Sequence, residues 1–338
     1  MRAAMLPFAD ELPRRERRLL GGAAALLFGT ILVTLIASAF WEATGAGGSQ
    51  AYGAIRDWAP SLVYVLAAGI VALRAVRVRE SRAPWAAIAF GLVLYMAGNL
   101  LWSFWYETQA EPPFPSVSDL LWLSLYPLSY LGIVLIARED RRVTPAGVWL
   151  DGIVAGLGMA ALGAAIVFGK VLDSATGDAA AVAVNLAYPI GDLLLAALVM
   201  GVLALRGWRL NTTWALVGGG FLLLWLADSI LLIKIANGST SLSSVLANVF
   251  YMPAVALLAF AAWQRPRAFT APRLEGLSVL LAPAVFSLGA LGLLVYDHFD
   301  RLDPLAMLLS VLTLVAALGR AALTFRDVRD IARRRGRR

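Results

Sequence analysis

Apolar residues in this chain come in long blocks and do not alternate with polar ones. Ten apolar runs fall near residues 19 to 41, 58 to 76, 84 to 105, 117 to 137, 148 to 169, 180 to 205, 213 to 236, 243 to 263, 276 to 296 and 304 to 325. Each approaches the ~20 residues that a helix needs to cross hydrocarbon. Only a helix or a closed barrel satisfies its backbone there, and blocks of this length belong to helices. The pattern predicts an all-α, polytopic membrane protein of about ten transmembrane helices arranged as helix hairpins. It divides into a basic N-terminus over 1–18, a ten-helix membrane domain over 19–325, and a basic juxtamembrane segment with the start of a coiled coil over 326–338.

The connections set the orientation. Of 29 Lys and Arg, only Arg56, Lys170, Lys234 and Arg301 fall on one side of the runs, which leaves 25 on the other. Short loops rich in Lys and Arg stay in the cytoplasm, so a multi-pass plasma-membrane protein with both termini inside is expected. The net charge of +7 would suggest nucleic acid in a soluble chain. Here topology and attraction to anionic lipid account for it, so membrane lipids are the expected partners and nucleic acid is not. There is no cysteine and one histidine, His298, which excludes disulfides, thiolate metal sites and histidine metal centres. No metal and no cofactor are expected. The basic stretch before the first run, with Ala37-Ser38-Ala39 at the run's end, has the outline of a secretory signal. A signal core is only ~7 to 15 residues, so Leu19 to Trp41 is expected to be an uncleaved first helix.

Polar residues within the runs are the informative exceptions. Three helices carry a proline about one third of the way across, each near a tyrosine: Tyr126-Pro127, Tyr188-Pro189 and Tyr251-Met252-Pro253. The helices before them carry Asn99, Asp151 and Asp228, as a repeated hairpin would, and Gly91 to Leu101 can be laid over Gly220 to Leu231. A proline frees the carbonyl four residues earlier, which in lipid must find a partner within the protein. For Pro189 that carbonyl belongs to Asn185. Asn185, Tyr188, Pro189 and Asp192 are spaced i, i+3, i+4 and i+7 and share one helix face. An ionised Asp at mid-helix costs about 2.5 to 3.5 kcal/mol on insertion scales, so Asp192 and Asp228 are expected to face the bundle.

These residues predict one polar cavity in the outer half of the bundle. Its candidate lining is Asn99, Tyr126, Asn185, Tyr188, Asp192, Asp228, Asn248 and Tyr251, with Trp102, Trp122 and Trp225 as aromatic walls. The competing reading is structural: the two acids hold helices together through tyrosines or freed carbonyls. Asp119 is assigned a structural role, because Ser116-Val117-Ser118-Asp119 reads as a capping box after Pro112, Pro113 and Pro115. Asp151 beside Trp149 is expected to anchor a helix end, and Gly152 with Gly156 to admit a close helix neighbour. Pro127, Pro189 and Pro253 are likewise structural. No phosphate loop, dinucleotide turn or nucleophile elbow is present, so no catalytic residue is assigned. Lys234 lies at an interface, where it snorkels, and is not expected to carry a retinal Schiff base.

The last run ends in a seam. Met307, Val311, Leu314, Leu318, Ala321, Phe325, Val328 and Ala332 follow steps of four and three past the membrane, as at the start of a parallel coiled coil, which predicts a homodimer through the last helix. A basic helix on anionic lipid is the alternative for the same residues.

The chain resembles the multi-helix membrane sensor region at the N-terminus of many actinobacterial GGDEF and GGDEF-EAL proteins, which make or degrade cyclic di-GMP. The resemblance is carried by Pro115-Ser116-Val117-Ser118-Asp119-Leu120, Tyr126-Pro127-Leu128, Trp149-Leu150-Asp151-Gly152, Asn185-Leu186-Ala187-Tyr188-Pro189-Ile190-Gly191-Asp192-Leu193, Ala227-Asp228-Ser229, and Arg320 to Asp330, which is similar to the helix leading into the cyclase domain. It implies a sensor and signal-transduction module that passes an unidentified stimulus to a cytoplasmic output domain or partner. The sequence given stops at Arg338 without a GGDEF or EAL sequence, so this chain is not itself expected to be an enzyme, whereas a longer product would be a diguanylate cyclase. Two other classes remain open: a secondary transporter using Asp192 and Asp228, and a membrane interaction protein without a ligand.

Overall fold

The computed structural model describes residues 7–44, 50–139, 146–168, 179–206, 210–236, 243–265 and 278–335. All regular structure among them is helical, as uninterrupted apolar blocks require. In chain order the helices are α1 (Arg14–Thr44), α2 (Gln50–Arg77), α3 (Arg82–Leu101), α4 (Val117–Leu123), α5 (Leu125–Glu139), α6 (Ala146–Gly163), α7 (Ala179–Leu205), α8 (Thr212–Ala236), α9 (Ser243–Ala262), α10 (Ser278–Tyr296) and α11 (Pro304–Arg335). A 3-10 turn, Pro7–Glu11, precedes α1, and π-helical turns over Trp102–Tyr106 and Ala164–Phe168 extend α3 and α6.

Among the described residues, eight helical stretches are long and apolar enough to cross a membrane. They coincide with eight of the ten runs. The runs at 243 to 263 and 276 to 296 correspond to shorter apolar stretches, Val249–Ala262 and Pro283–Tyr296, among the described residues. The run at 117 to 137 is two helices, with the break at Ser124. Its cause is Pro127, which has no N–H for the carbonyl of Leu123, the last residue of α4. Pro60, Pro189, Pro253 and Pro283 are instead absorbed within continuous helices. Helix α1 begins at Arg14, ahead of the first apolar run, and Arg77 pairs with Glu16 at 2.6 Å.

The chain forms two compact units: residues 1–139, 174–192 and 211–267, and residues 140–173, 193–210 and 268–338. Helix α7 contributes residues 179–192 to the first unit and 193–205 to the second.

In the first unit α2 packs on α1, α3 and α9, α3 packs on α4 and α5, and α8 packs on α9. Buried Val63, Ala67, Val71, Ile88, Ile133, Val217, Met252 and Leu258 fill the space between them. The two segments laid over each other in the sequence pack alike. A Cβ on Gly91 would lie 3.2 Å from Leu128 beside Pro127, and one on Gly220 would lie 3.0 Å from the carbonyl of Ala254 beside Pro253. One end of the unit is tied by Arg74, which is fully buried. Its Nε, Nη1 and Nη2 donate to the carbonyls of Ala262, Val78 and Glu80 at 2.9, 3.1 and 2.8 Å. The Phe8 ring lies 4.6 Å from its Cζ, and the Trp263 indole donates to the carbonyl of Ile70 at 3.0 Å.

In the second unit α6 packs on α10 and α11, and α10 on α11. Val154, Ala155, Ala204 and Phe286 form its core with Met159, Met200, Ala316 and Ala317 around them. Gly152 and Gly156 face α7, where a Cβ would come within 3.0 Å of the Gly201 carbonyl and 2.9 Å of the Ala197 carbonyl. Along α11, Val311, Leu318, Ala321 and Phe325 of the predicted seam are exposed, while Met307 and Leu314 are partly covered. The side chains of Val328 and Ala332 lie outside the described residues. Outward apolar side chains such as Leu19, Leu32, Ile36, Leu318 and Phe325 suit a hydrocarbon solvent and would be a liability in water.

Candidate functional site

The three tyrosines that accompany prolines each hydrogen-bond to an aspartate from another helix. On α5, the Tyr126 hydroxyl lies 2.9 Å from Oδ1 of Asp192 on α7 and 3.2 Å from Oδ2 of Asp228 on α8. On α9, the Tyr251 hydroxyl donates to Oδ1 of Asp228. On α7, the Tyr188 hydroxyl donates to Oδ1 of Asp119 on α4 at 2.9 Å. Five helices of the first unit therefore meet through side-chain bonds. Asp192 and Asp119 are buried, and Asp228 is partly so.

Local sequence explains why Tyr126 reaches so far. A Cβ on Gly191 would lie 2.8 Å from Cδ1 and 2.9 Å from Cδ2 of the Tyr126 ring, so the ring occupies the space that this glycine leaves open. The Tyr130 hydroxyl, one turn along α5, donates to the Gly191 carbonyl at 2.7 Å and holds the same stretch of α7. Tyr64 and Tyr95 add a second aromatic pair, with ring centroids 5.5 Å apart in an edge-on arrangement.

Asp119 closes the capping box of α4. Its Oδ2 accepts from the Ser116 amide at 2.8 Å and the Ser116 hydroxyl at 2.7 Å, while its own amide bonds to Ser116 Oγ at 3.4 Å. That leaves Oδ1 for Tyr188, so the residue assigned a purely local role also bonds to α7. Beside it, Ser118 donates to the Gly98 carbonyl at 3.0 Å, and Trp122 and Trp102 stand with ring centroids 5.7 Å apart.

Two other members of the predicted lining lie outside these tyrosine–carboxylate bonds. Asn99 donates to the Tyr95 carbonyl of its own helix at 2.8 Å. Asn185 is partly buried, and none of these tyrosine–carboxylate bonds includes it. The side chain of Asn248 lies outside the described residues.

Asp151, expected to anchor a helix end, does more. In the second unit Arg320 of α11 pairs with it through Nε to Oδ1 at 2.6 Å and Nη2 to Oδ2 at 3.3 Å. Both side chains are largely buried, and Arg320 also bonds to Thr324. Arg320, Gly191, Tyr130 and Arg74 were not singled out from sequence. For Arg320 the available signal was its place as the single cation within the last apolar run.

Among the described residues, no group of three or more His, Asp or Glu is placed to hold a metal ion. The chemistry on offer is that of hydroxyl and carboxyl groups alone: hydrogen bonding and proton exchange. No family model, curated protein or solved structure matches the chain.

Proposed function

We propose that the chain is a membrane-embedded sensor and signal-transduction module, of the kind coupled to cyclic di-GMP output domains. In this reading it crosses the plasma membrane ten times with both ends in the cytoplasm. The tyrosine–aspartate network receives the stimulus, and α11 carries the response to a cytoplasmic domain or partner.

The observation that carries the proposal is α11. It is one unbroken helix of 32 residues whose apolar crossing, Pro304–Arg326, continues into a basic segment. At 1.5 Å per residue it is about 48 Å long, against a hydrocarbon thickness of about 30 Å. Such a helix delivers small rotations or shifts made in the bundle to whatever follows it. The Asp151–Arg320 pair sets its position on α6, and α7, which carries Asp192 in one unit and Gly201 against Gly152 in the other, is a covalent route from network to output.

Single cysteines at Phe325 or Val328, in a chain that has none of its own, test the dimeric output. Oxidation in native membranes is expected to trap homodimers, and a chain that stays monomeric contradicts that part of the proposal. The secondary transporter is favoured by one observation, the bridging of two intramembrane acids by Tyr126. Proton-coupled uptake into vesicles that is lost in Asp192→Asn and Asp228→Asn would decide for it.

A further inference from the structure

We propose that Asp192 and Asp228 hold one proton between them, relayed through the Tyr126 hydroxyl, so that the species bound at this network is the proton itself. As the identity of the stimulus this rests on the sensor reading above; as a property of the site it does not.

The inference is a count of hydrogens. A tyrosine hydroxyl carries a single hydrogen, and an ionised carboxylate only accepts. The Tyr126 oxygen is 2.9 Å from Oδ1 of Asp192 and 3.2 Å from Oδ2 of Asp228. If both carboxylates were ionised, the hydroxyl could serve one of them. The other would then face an oxygen lone pair across a contact with no hydrogen in it.

One added proton completes the network. With the proton on Oδ2 of Asp228, that group donates to the Tyr126 oxygen, Tyr126 donates to Oδ1 of Asp192, and Oδ1 of Asp228 accepts from Tyr251. The mirror arrangement places the proton on Asp192, which donates to Tyr126, which donates to Asp228. Passing from one to the other moves the Asp228 proton to the tyrosine oxygen and the tyrosine hydrogen to Asp192. The hydroxyl is regenerated, and no other reactant is needed. Tyr251 weights the two arrangements, because its bond to Asp228 persists in both and favours negative charge there.

The titratable groups around the pair among the described residues include Tyr64 on α2, Tyr95 on α3, Tyr126 and Tyr130 on α5, Tyr188 on α7 and Tyr251 on α9, with Asp119 reached through Tyr188. These are hydroxyls and a further carboxyl. Buried charges in a membrane are paired or neutralised, and one proton shared through Tyr126 neutralises this pair with the hydrogen bonds already in place.

The test is solid-state NMR of the full chain, labelled with carbon-13 aspartate, in lipid bilayers at neutral pH. The expected spectrum contains aspartate carboxyl signal shifted toward the acid form and averaged over Asp192 and Asp228 by exchange, and removed by Asp192→Asn combined with Asp228→Asn. In Tyr126→Phe the acid form is expected to persist while its exchange between the two aspartates slows enough to resolve separate signals. A wild-type spectrum with every aspartate ionised overturns the proposal, whether or not any variant folds. An unchanged spectrum in Tyr126→Phe overturns the relay. Because the spectrum reports protonation directly, either result is independent of whether α11 carries a signal.

Discussion

The Tyr126 hydroxyl reaches Oδ1 of Asp192 across 2.9 Å, although 66 residues separate them in the chain. Two local devices bring them together. The break at Ser124, enforced by Pro127, lets α5 start afresh after α4, and Gly191 leaves α7 bare where the ring lies. Hydrogen bond, ring contact and helix break thus have one geometric origin, which makes the network sensitive to a single methyl group.

Gly191→Ala places a Cβ 2.8 Å from the Tyr126 ring. Thermal unfolding in detergent is expected to show a loss of about 1 to 3 kcal/mol, the usual cost of overpacking. The control is Gly319→Ala on α11, where nothing lies within 4 Å of the added Cβ. There the helix is expected to gain about 0.5 to 1 kcal/mol from the alanine. Equal behaviour of the two variants would contradict the packing described.

Asp151→Ala leaves Arg320 largely buried without its partner. Breaking a buried pair from one side costs about 3 to 5 kcal/mol, so this variant should be among the least stable. Replacing both residues with apolar ones, Asp151→Leu with Arg320→Met, is expected to recover most of that loss. A double variant no better than the single one would mean that the pair does not set the position of α11 on α6.

At Asp119 two functions can be separated. Ser116→Ala removes the N-cap of α4, for an expected loss of about 1 kcal/mol. Tyr188→Phe leaves the cap intact and removes the bond to Oδ1, worth about 1.5 to 3 kcal/mol where the acceptor is charged. Chemical denaturation of the two variants and their combination should give nearly additive losses if the two oxygens act independently, and coupled losses if Tyr188 also orients the cap.

Arg74→Lys keeps the charge yet loses the planar fork that serves three carbonyls from two stretches of chain. Loss of even one of these charge-assisted bonds costs about 1.5 to 3 kcal/mol. Proteolysis near residue 12 is expected to accelerate as well, because Phe8 stacks on the same guanidinium. Wild-type stability in Arg74→Lys would show that the positive charge alone suffices.

Block length made the helical architecture legible, because a crossing of hydrocarbon needs a long apolar helix. Where the helices start was less so. Arg14 and Gln50 open α1 and α2 well before their apolar blocks, since Arg, Glu, Gln and Ala extend a helix as readily as apolar residues do. Tyr126, Tyr188, Asp192, Asp228 and Tyr251 stood out as polar groups in apolar runs, but spacing along one helix could not assign their partners. The Tyr126–Asp228 and Asp151–Arg320 contacts join residues 102 and 169 positions apart, and no periodicity reports such pairings. Gly191 was hidden for a different reason: its role is the absence of a side chain, visible only once a neighbouring ring is in place.

The account turns on whether the tyrosine–aspartate network governs the setting of α11. The most direct measurement is the distance between spin labels at Ile153 on α6 and Phe325 on α11, both exposed in the second unit, in bilayer-embedded protein. It would be compared between the wild type and the variant with Asp192→Asn and Asp228→Asn. The account expects a shifted distance distribution in the variant, because the helix that carries Asp192 also packs on α6. Superimposable distributions from two folded proteins would contradict it, and would leave the network as a structural tie with no connection to α11.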